Sequence, residues 1–313
     1  MSARRRVGPF SIVGYWVALG LREVARILPW PVLRAFGVLV GRMGYLLDGR
    51  HRRIALDGIS RCFPEKTPAE HRRIARVCYR HVGVSVMEFA RLATASREEI
   101  LRRWGPTPEQ SRRLDELAAE RPAPIFLAGH IGFWEMCALG FTAHGGRLGS
   151  VVRPLDNPWL NDLVSSVRSR FGLRILGGGG ALLAAMHSLK EGVPVSFLLD
   201  QNAGPDGTFV PLFGRLASTR PTAAQVALAT GSAIVCVATW REEPSGVHRL
   251  RIGNVLRPGK WRGPKDQRYE AEVRRLTAGY TAEIEAAVRE HPEQWLWLHR
   301  RWKARPPGEA PGA

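Results

Sequence analysis

The pattern of apolar and polar positions changes near residue 123, and the change separates two kinds of predicted structure. Residues from roughly 50 to 120 are typical of helices with one apolar face. In the longest of these, apolar side chains recur at helical spacing at Ile74, Val77, Cys78, Val82, Val86 and Phe89. The start of this helix is predicted at Thr67-Pro68-Ala69-Glu70, with Thr67 as N-cap, Pro68 at the first helical position and Glu70 closing a capping box.

Beyond residue 123, short apolar strands alternate with helical stretches. The predicted strands are 124–128, 148–152, 194–199, 233–239 and 247–255, and the predicted helices are 133–144, 158–171, 181–191, 222–230 and 265–290. This alternation predicts an α/β fold, a mostly parallel sheet flanked by helices. Ligands of such sheets bind beyond the carboxyl ends of the strands, so the residues that follow each strand are the candidates for chemistry.

The N-terminal part carries two apolar runs, 9–21 and 27–47, which prolines and charged residues interrupt. Each run falls short of the roughly 20 apolar residues that cross a bilayer. We expect membrane-associated helices that lie in the interface, with tryptophan and tyrosine side chains at the polar boundary. A pair of ordinary core helices and a short tilted span are the alternatives. The expected division is 1–48 for the anchor helices, 49–305 for the α/β domain and 306–313 for a disordered tail.

Charge and cysteine content narrow the class of partner. The chain has 313 residues, a formal net charge of +18 and a sequence pI near 11.0, so its surface should attract phospholipid headgroups, a phosphorylated glycolipid or nucleic acid. No nucleic-acid fold motif occurs, and we expect no nucleic-acid partner. The four cysteines are far apart without a CxxC pair, which favours neither a metal site nor a disulfide framework.

A histidine and a carboxylate follow the first predicted strand. His130 stands at the strand end, and Glu135 lies five residues later at the start of a helix. A neutral imidazole can accept a proton from an alcohol, and a carboxylate on its other nitrogen stabilises the imidazolium, so we interpret them as a general base and its partner. Backbone N–H groups near Gly132 and Phe133 are expected to face the same point. A chance pairing in the sequence is the alternative.

Polar residues also follow the next two strands. Arg153 could present its guanidinium to a phosphate or simply pair with Asp156 in a turn. Asp200 and Gln201 could bind an arginine or a substrate, or cap a turn. No G-x-S-x-G element is present, which favours direct attack by an acceptor hydroxyl on a thioester over a covalent acyl-enzyme.

Several blocks of residues, in order, resemble the late acyltransferases of lipid A biosynthesis, the lauroyl and myristoyl transferases of the wider lysophospholipid acyltransferase superfamily. The blocks that carry the resemblance are 61–65 (RCFPE), 130–135 (HIGFWE), 153–158 (RPLDNP) with Arg170 downstream, 197–201 (FLLDQ), 209–214 (FVPLFG) and 291–302 (HPEQWLWLHRRW). The glycerophosphate motif Phe-Pro-Glu-Gly-Thr-Arg is absent, which argues against a phosphatidate-synthesising role.

The resemblance implies an enzyme on the cytoplasmic face of a bacterial inner membrane. It implies an acyl carrier protein thioester, or less often acyl-CoA, as the donor and a phosphorylated lipid or glycolipid as the acceptor. The sequence suggests no metal or other cofactor. His130 and Glu135 map onto the HX4(D/E) motif. The substrate-binding residues expected are Gly132, Phe133, Arg153, Arg170, Asp200 and Gln201. Leu212, Gly58 and Arg220 depart from the family pattern, which weakens any assignment of acyl length or acceptor.

Two other functions stay open from the sequence alone. One is an acyltransferase for another lipid, such as a mannosylated phosphoinositide or an amino-acid lipid. The other is a basic protein without catalytic activity that binds membranes or nucleic acid through its charge.

Overall fold

The computed structural model describes residues 9–306 and 308, and it shows a helical part that precedes an α/β part. The helices are α1 (Pro9–Ile27), α2 (Trp30–Leu47), α3 (Gly49–Cys62), α4 (Pro68–Leu92), α5 (Arg97–Arg103), α6 (Pro108–Ala119), α7 (Glu135–His144), α8 (Pro158–Ser169), α9 (Ala181–Lys190), α10 (Thr222–Thr230) and α11 (Gln267–Glu290), followed by a 3₁₀ turn at Pro292–Gln294. The strands are β1 (Ile125–Ala128), β2 (Gly149–Val152), β3 (Arg174–Gly177), β4 (Val195–Leu198), β5 (Thr208–Leu212), β6 (Arg215–Thr219), β7 (Ile234–Arg241) and β8 (His248–Leu256).

The main sheet has six strands in the order β3-β2-β4-β1-β7-β8. All its pairs are parallel except β7 with β8, so the predicted α/β fold with a mostly parallel sheet is confirmed. β5 and β6 form a separate antiparallel hairpin. Neither this hairpin nor β3 was predicted from the sequence. In β3 the terminal residues Arg174 and Gly177 are exposed at the sheet edge, so the apolar pattern of a buried strand is missing.

Helices cover both faces of this sheet, and the alternation of side chains along β1 shows how. Ile125 and Leu127 belong to a buried cluster with apolar residues of α9, α10 and α11, whereas Phe126 joins a second cluster with residues of α5, α6 and α7. A strand places successive side chains on opposite faces, so a continuous apolar run such as β1 has a buried environment on each side. Because helices cover both faces of the sheet, a ligand-binding site is expected at the ends of the strands.

α4 connects the N-terminal helices to the sheet. It starts as predicted, because Thr67 Oγ1 accepts from the Glu70 backbone and Glu70 Oε2 accepts from the Thr67 N–H at 2.7 Å. α2 crosses α4 closely, and a Cβ atom at Gly83 would overlap backbone atoms of Gly37 and Gly41. Small residues at a helix crossing allow this approach, so α2 is held firmly against the body of the protein.

The outer side of α1 and α2 is apolar. Thirteen of the nineteen large hydrophobic side chains that are exposed in the described residues belong to these two helices, among them Trp16 and Leu47. Neither these helices nor any other described helix combines the length and the apolar character needed to cross a membrane. At the other end of the chain, the predicted disordered tail 306–313 lies outside the described residues except for residues 306 and 308.

Candidate active site

The register of the two central strands brings His130 and Asp200 together. β1 and β4 are parallel neighbours, with Ala128 opposite Leu198, so the second residue after each strand reaches the same level of the sheet. The backbone N–H of His130 donates to Asp200 Oδ2 at 2.7 Å, and His130 Nδ1 lies 2.6 Å from Asp200 Oδ1. One carboxylate therefore binds both the backbone and the ring of His130.

A tryptophan from the C-terminal segment completes the arrangement. Asp200 is buried, and its Oδ2 also accepts from the indole N–H of Trp295 at 2.8 Å. The imidazole packs edge-on against Trp134, with the ring centroids 4.6 Å apart. Three donors converge on Asp200, so the carboxylate is satisfied only as an ionised acceptor.

The electrostatics of the pair favour a charged imidazole. Burial raises the pKa of Asp200, but the charge of His130 and the hydrogen bonds outweigh it and lower that pKa to about 2. Burial lowers the pKa of His130, but the charge and hydrogen bond of Asp200, with a smaller contribution from Glu135, outweigh it and raise that pKa above its usual value. When the ring is neutral, ionised Asp200 accepts the proton of Nδ1, which leaves the lone pair on Nε2.

The structure corrects the expected partner of His130. Glu135 does not bond to the ring; it accepts from Arg168 of α8, at 3.0 Å from Nε and 2.5 Å from Nη2. The reason is topological, because Glu135 begins α7 and turns toward α8, while the adjacent strand β4 supplies the closer carboxylate. Glu135 remains near enough to raise the pKa of His130 by its charge.

A cavity of about 240 Å³ lies between His130 and α4. Its walls are mostly apolar, with Val82, Val86, Phe89, Phe133 and Leu296 among them. His130 and Glu135 also line it, so the base and the second carboxylate face one space. A smaller apolar cavity of about 60 Å³ lies deeper in the sheet and shares Trp134 and Glu135 with the first. The site can therefore take an apolar ligand beside a titratable base.

A buried polar network supports one wall of the larger cavity. Arg241, fully buried, donates to Glu88, to Ser85 Oγ at 3.1 Å and to His81 Nδ1 at 2.8 Å. His81 and Ser85 also line the cavity. Burial and the charge of Arg241 lower the pKa of His81 to about 3, so this histidine is neutral. This network was not predicted from the sequence, since its members lie on α4 and β7 without a common motif.

The other predicted substrate-binding residues take different places. Gly132 and Phe133 line the cavity with His130, but the Gly132 N–H donates to the Gln294 carbonyl at 2.9 Å and is not free for a ligand. Gly132 has φ +58°, and a Cβ there would overlap the backbone of Thr239. Only a glycine fits this turn.

Arg153, Arg170 and Gln201 lie outside the lining of the His130 cavity. Arg153 is exposed after β2, which β4 separates from β1, and its role in binding stays a prediction. Arg170 donates to the Leu92 carbonyl at 2.7 Å and stacks on Phe171, so its observed contacts are structural. Gln201 is exposed beside Asp200.

Among the described residues, no group of three or more His, Cys, Asp or Glu side chains is placed to hold a metal ion.

Comparisons with known proteins agree across almost the whole chain. The model of the family described as bacterial lipid A biosynthesis acyltransferase matches residues 4–304. Three Escherichia coli (strain K12) proteins are similar over 94% of this chain. They are a lipid A biosynthesis lauroyltransferase at 28% identity over 92% of its length, a myristoyltransferase at 27% over 89%, and a palmitoleoyltransferase at 27% over 92%.

Proposed function

Because the chain belongs to the bacterial lipid A biosynthesis acyltransferase family, we propose that it transfers a fatty acyl group from a thioester to a hydroxyl of a lipid A precursor or a related glycolipid. The observation that carries the proposal is the His130–Asp200 pair at the wall of an apolar cavity. The donor is acyl carrier protein thioester, with acyl-CoA as the other thioester considered. The net charge of +18 suits an acidic carrier and a phosphorylated acceptor.

The proposed mechanism uses His130 as the general base. Nε2 takes the proton of the acceptor hydroxyl while the oxygen attacks the thioester carbonyl carbon, and the imidazolium that forms is stabilised by ionised Asp200. The C–S bond then breaks, and the leaving thiolate takes the proton from His130. No acyl-enzyme forms along this path. Glu135 stabilises the imidazolium at longer range and binds Arg168, which lines the smaller apolar cavity.

The proposal is tested by incubating the purified protein with a lipid A precursor and either acyl carrier protein thioesters or acyl-CoA thioesters. We expect acylated precursor by mass spectrometry, with an ester at a hydroxyl and higher kcat/KM for the carrier-protein donor. Lipids from a deletion strain give the acceptor in the cell, since the missing species should be an acylated lipid A form. Accumulation of an under-acylated phosphoinositide or amino-acid lipid instead would contradict the assigned acceptor.

We also propose that α1 and α2 lie in the cytoplasmic face of the inner membrane. The thirteen exposed apolar side chains of both helices support this, since large exposed apolar surfaces on soluble proteins usually mark interaction sites. The reaction also needs access to a lipid acceptor that resides in a membrane.

The membrane proposal predicts the behaviour of Trp16→Ser, a change of a side chain that is 65% exposed on α1. We expect the variant to float less with phospholipid vesicles than the wild type, since an aromatic side chain at the interface is lost. Leu183→Ser, at a side chain 70% exposed on α9, is the control and should float like the wild type. Equal flotation of both variants would show that α1 does not contact lipid.

A further inference from the structure

A second large cavity is strongly cationic. It has a volume of about 770 Å³ and lies between α3, the β5–β6 hairpin and the C-terminal segment. We call it the cationic basin; its charges include Arg50 and Arg53 of α3, Arg215 of β6, and Arg300, Arg301 and Lys303. Among the described residues, eight arginines and lysines line it with one carboxylate, Asp57, which pairs with Arg61 at 2.8 Å. Such a concave surface concentrates positive potential.

The arginines of the cationic basin are held in place at an electrostatic cost. Arg301 is 3% exposed and donates to the Ser218 carbonyl and to Thr219 Oγ1, both at 2.5 Å, while its Nε has no partner. Burial lowers its pKa to about 10. Burial also lowers the pKa of Arg215, and the nearby charges of Arg61 and Arg305 lower it further. A bound anion would offset this repulsion and the burial of charge.

The cationic basin lies on the other side of one extended segment from the catalytic cavity. Along 294–297 the side chains alternate, so that Gln294 and Leu296 line the His130 cavity while Trp295 and Trp297 line the basin. Trp295 also donates to Asp200. Farther on, His299 lines the basin, and its Nε2 accepts from the Asn202 N–H at 2.9 Å. A large ligand in the basin is therefore next to the catalytic pair.

The position of the basin indicates what occupies it. The exposed apolar surface of α2 ends at Leu46 and Leu47. Arg50 and Arg53, at the start of α3, follow within about two helical turns of sequence. If the apolar surface meets acyl chains, these cations lie at the level of the headgroups. The concave shape, walled by Trp297, suits a phosphate on a sugar better than the convex surface of a folded carrier protein.

We propose that the cationic basin binds a phosphate monoester on the headgroup of the lipid acceptor and so positions the acceptor for the His130–Asp200 pair. The proposal rests on the proposed function for the identity of the acceptor. Arginine guanidinium groups bind phosphate through paired hydrogen bonds, and removing such charged contacts from a binding site weakens affinity by an order of magnitude or more.

The test uses the full chain with Arg53→Gln/Arg300→Gln, two exposed cations of the basin. We expect KM for the phosphorylated acceptor to rise at least about tenfold, with kcat and the donor KM unchanged. Arg53→Lys/Arg300→Lys should recover part of the loss, because charge is kept without the guanidinium geometry. The control, Arg112→Gln/Arg268→Gln, removes the same charge from side chains that are 72% and 80% exposed outside the basin, and should match the wild type.

A binding assay separates this proposal from the proposed function. Phosphatidylcholine vesicles containing phosphatidic acid or diacylglycerol differ only in a headgroup phosphate monoester, and no turnover is needed. We expect the basin variant to lose the wild-type preference for phosphatidic acid and the control to keep it. A preference that falls equally in both variants, or a rise in donor KM at unchanged acceptor KM, would overturn the basin as an acceptor site. A wild type that prefers phosphatidic acid but acylates no lipid A precursor would contradict the proposed function alone.

Discussion

His130→Ala is expected to lower kcat of acyl transfer by at least about 10²-fold, the usual contribution of a general base. The substitution removes the ring whose Nε2 would accept the proton of the acceptor hydroxyl. The other titratable side chains among the described residues of the lining, His81 and Glu135, are bonded to Arg241 and Arg168. KM should change less than kcat, since the apolar walls remain. Steady-state rates with a thioester donor and a lipid A precursor give both values.

The matched control for this variant is His144→Ala. His144 belongs to α7, and its half-exposed ring has Nε2 3.9 Å from Asp115 Oδ2. It should turn over like the wild type, which excludes a general effect of losing a histidine. Thermal unfolding of both variants checks that the fold is intact. Turnover of His130→Ala at the wild-type rate in a folded protein would remove His130 from the mechanism.

Asp200→Asn is expected to lower kcat by about 10²- to 10⁴-fold, with a much smaller loss in Glu135→Gln. Asp200 accepts from three donors: the His130 N–H, the His130 ring and the Trp295 indole. An asparagine offers one oxygen and turns its amide N–H toward one of those donors, so the ring loses both its orientation and its counter-charge. Glu135→Gln leaves the ring contact in place. A greater loss in Glu135→Gln than in Asp200→Asn would reinstate Glu135 as the partner of His130.

The same two variants should differ in their pH profiles. A general base acts only when it is deprotonated, so log kcat/KM should rise with pH through the raised pKa of His130, above the usual value of about 6.5. In Asp200→Asn the charge and hydrogen bond that raise this pKa are gone, and burial then lowers it, so the rising limb moves to lower pH. Glu135→Gln should move the limb in the same direction by a smaller amount. A limb in Asp200→Asn that stays at the wild-type position would contradict the assigned pair.

The α/β core could be predicted from the sequence because its strands are short, largely apolar runs of buried and half-buried residues. β1, β2, β4, β7 and β8 begin and end within a few residues of the predicted strands, and the parallel arrangement follows from the helices between them. β3 and the β5–β6 hairpin were missed. Their residues are partly exposed or interrupted by glycine and proline, so local pattern carries little information about them.

The cationic basin could not be predicted from the sequence, for a different reason. The charge of +18 predicted a polyanionic partner, but it is spread along the sequence. Arg53 and Arg300 are almost 250 residues apart in the chain and line the same cavity only because the C-terminal segment lies against α3. Contacts over such separations depend on the packing of elements, which a charge pattern does not describe.

The sequence by itself determined the family resemblance, the class of fold and the position of His130 and Asp200 at the ends of their strands. Both residues were predicted to belong to the site, but not to bond to each other. Glu135 was predicted as the partner of the His130 ring because it lies five residues away at the start of a helix. Only the tertiary structure decided the pair. The order of strands in the sheet sets β4 beside β1, and their register places the second residue after each strand at one level. Glu135 lines the cavity because it lies close to His130 in the sequence. Asp200 binds the ring because β4 is the neighbour of β1 in the sheet.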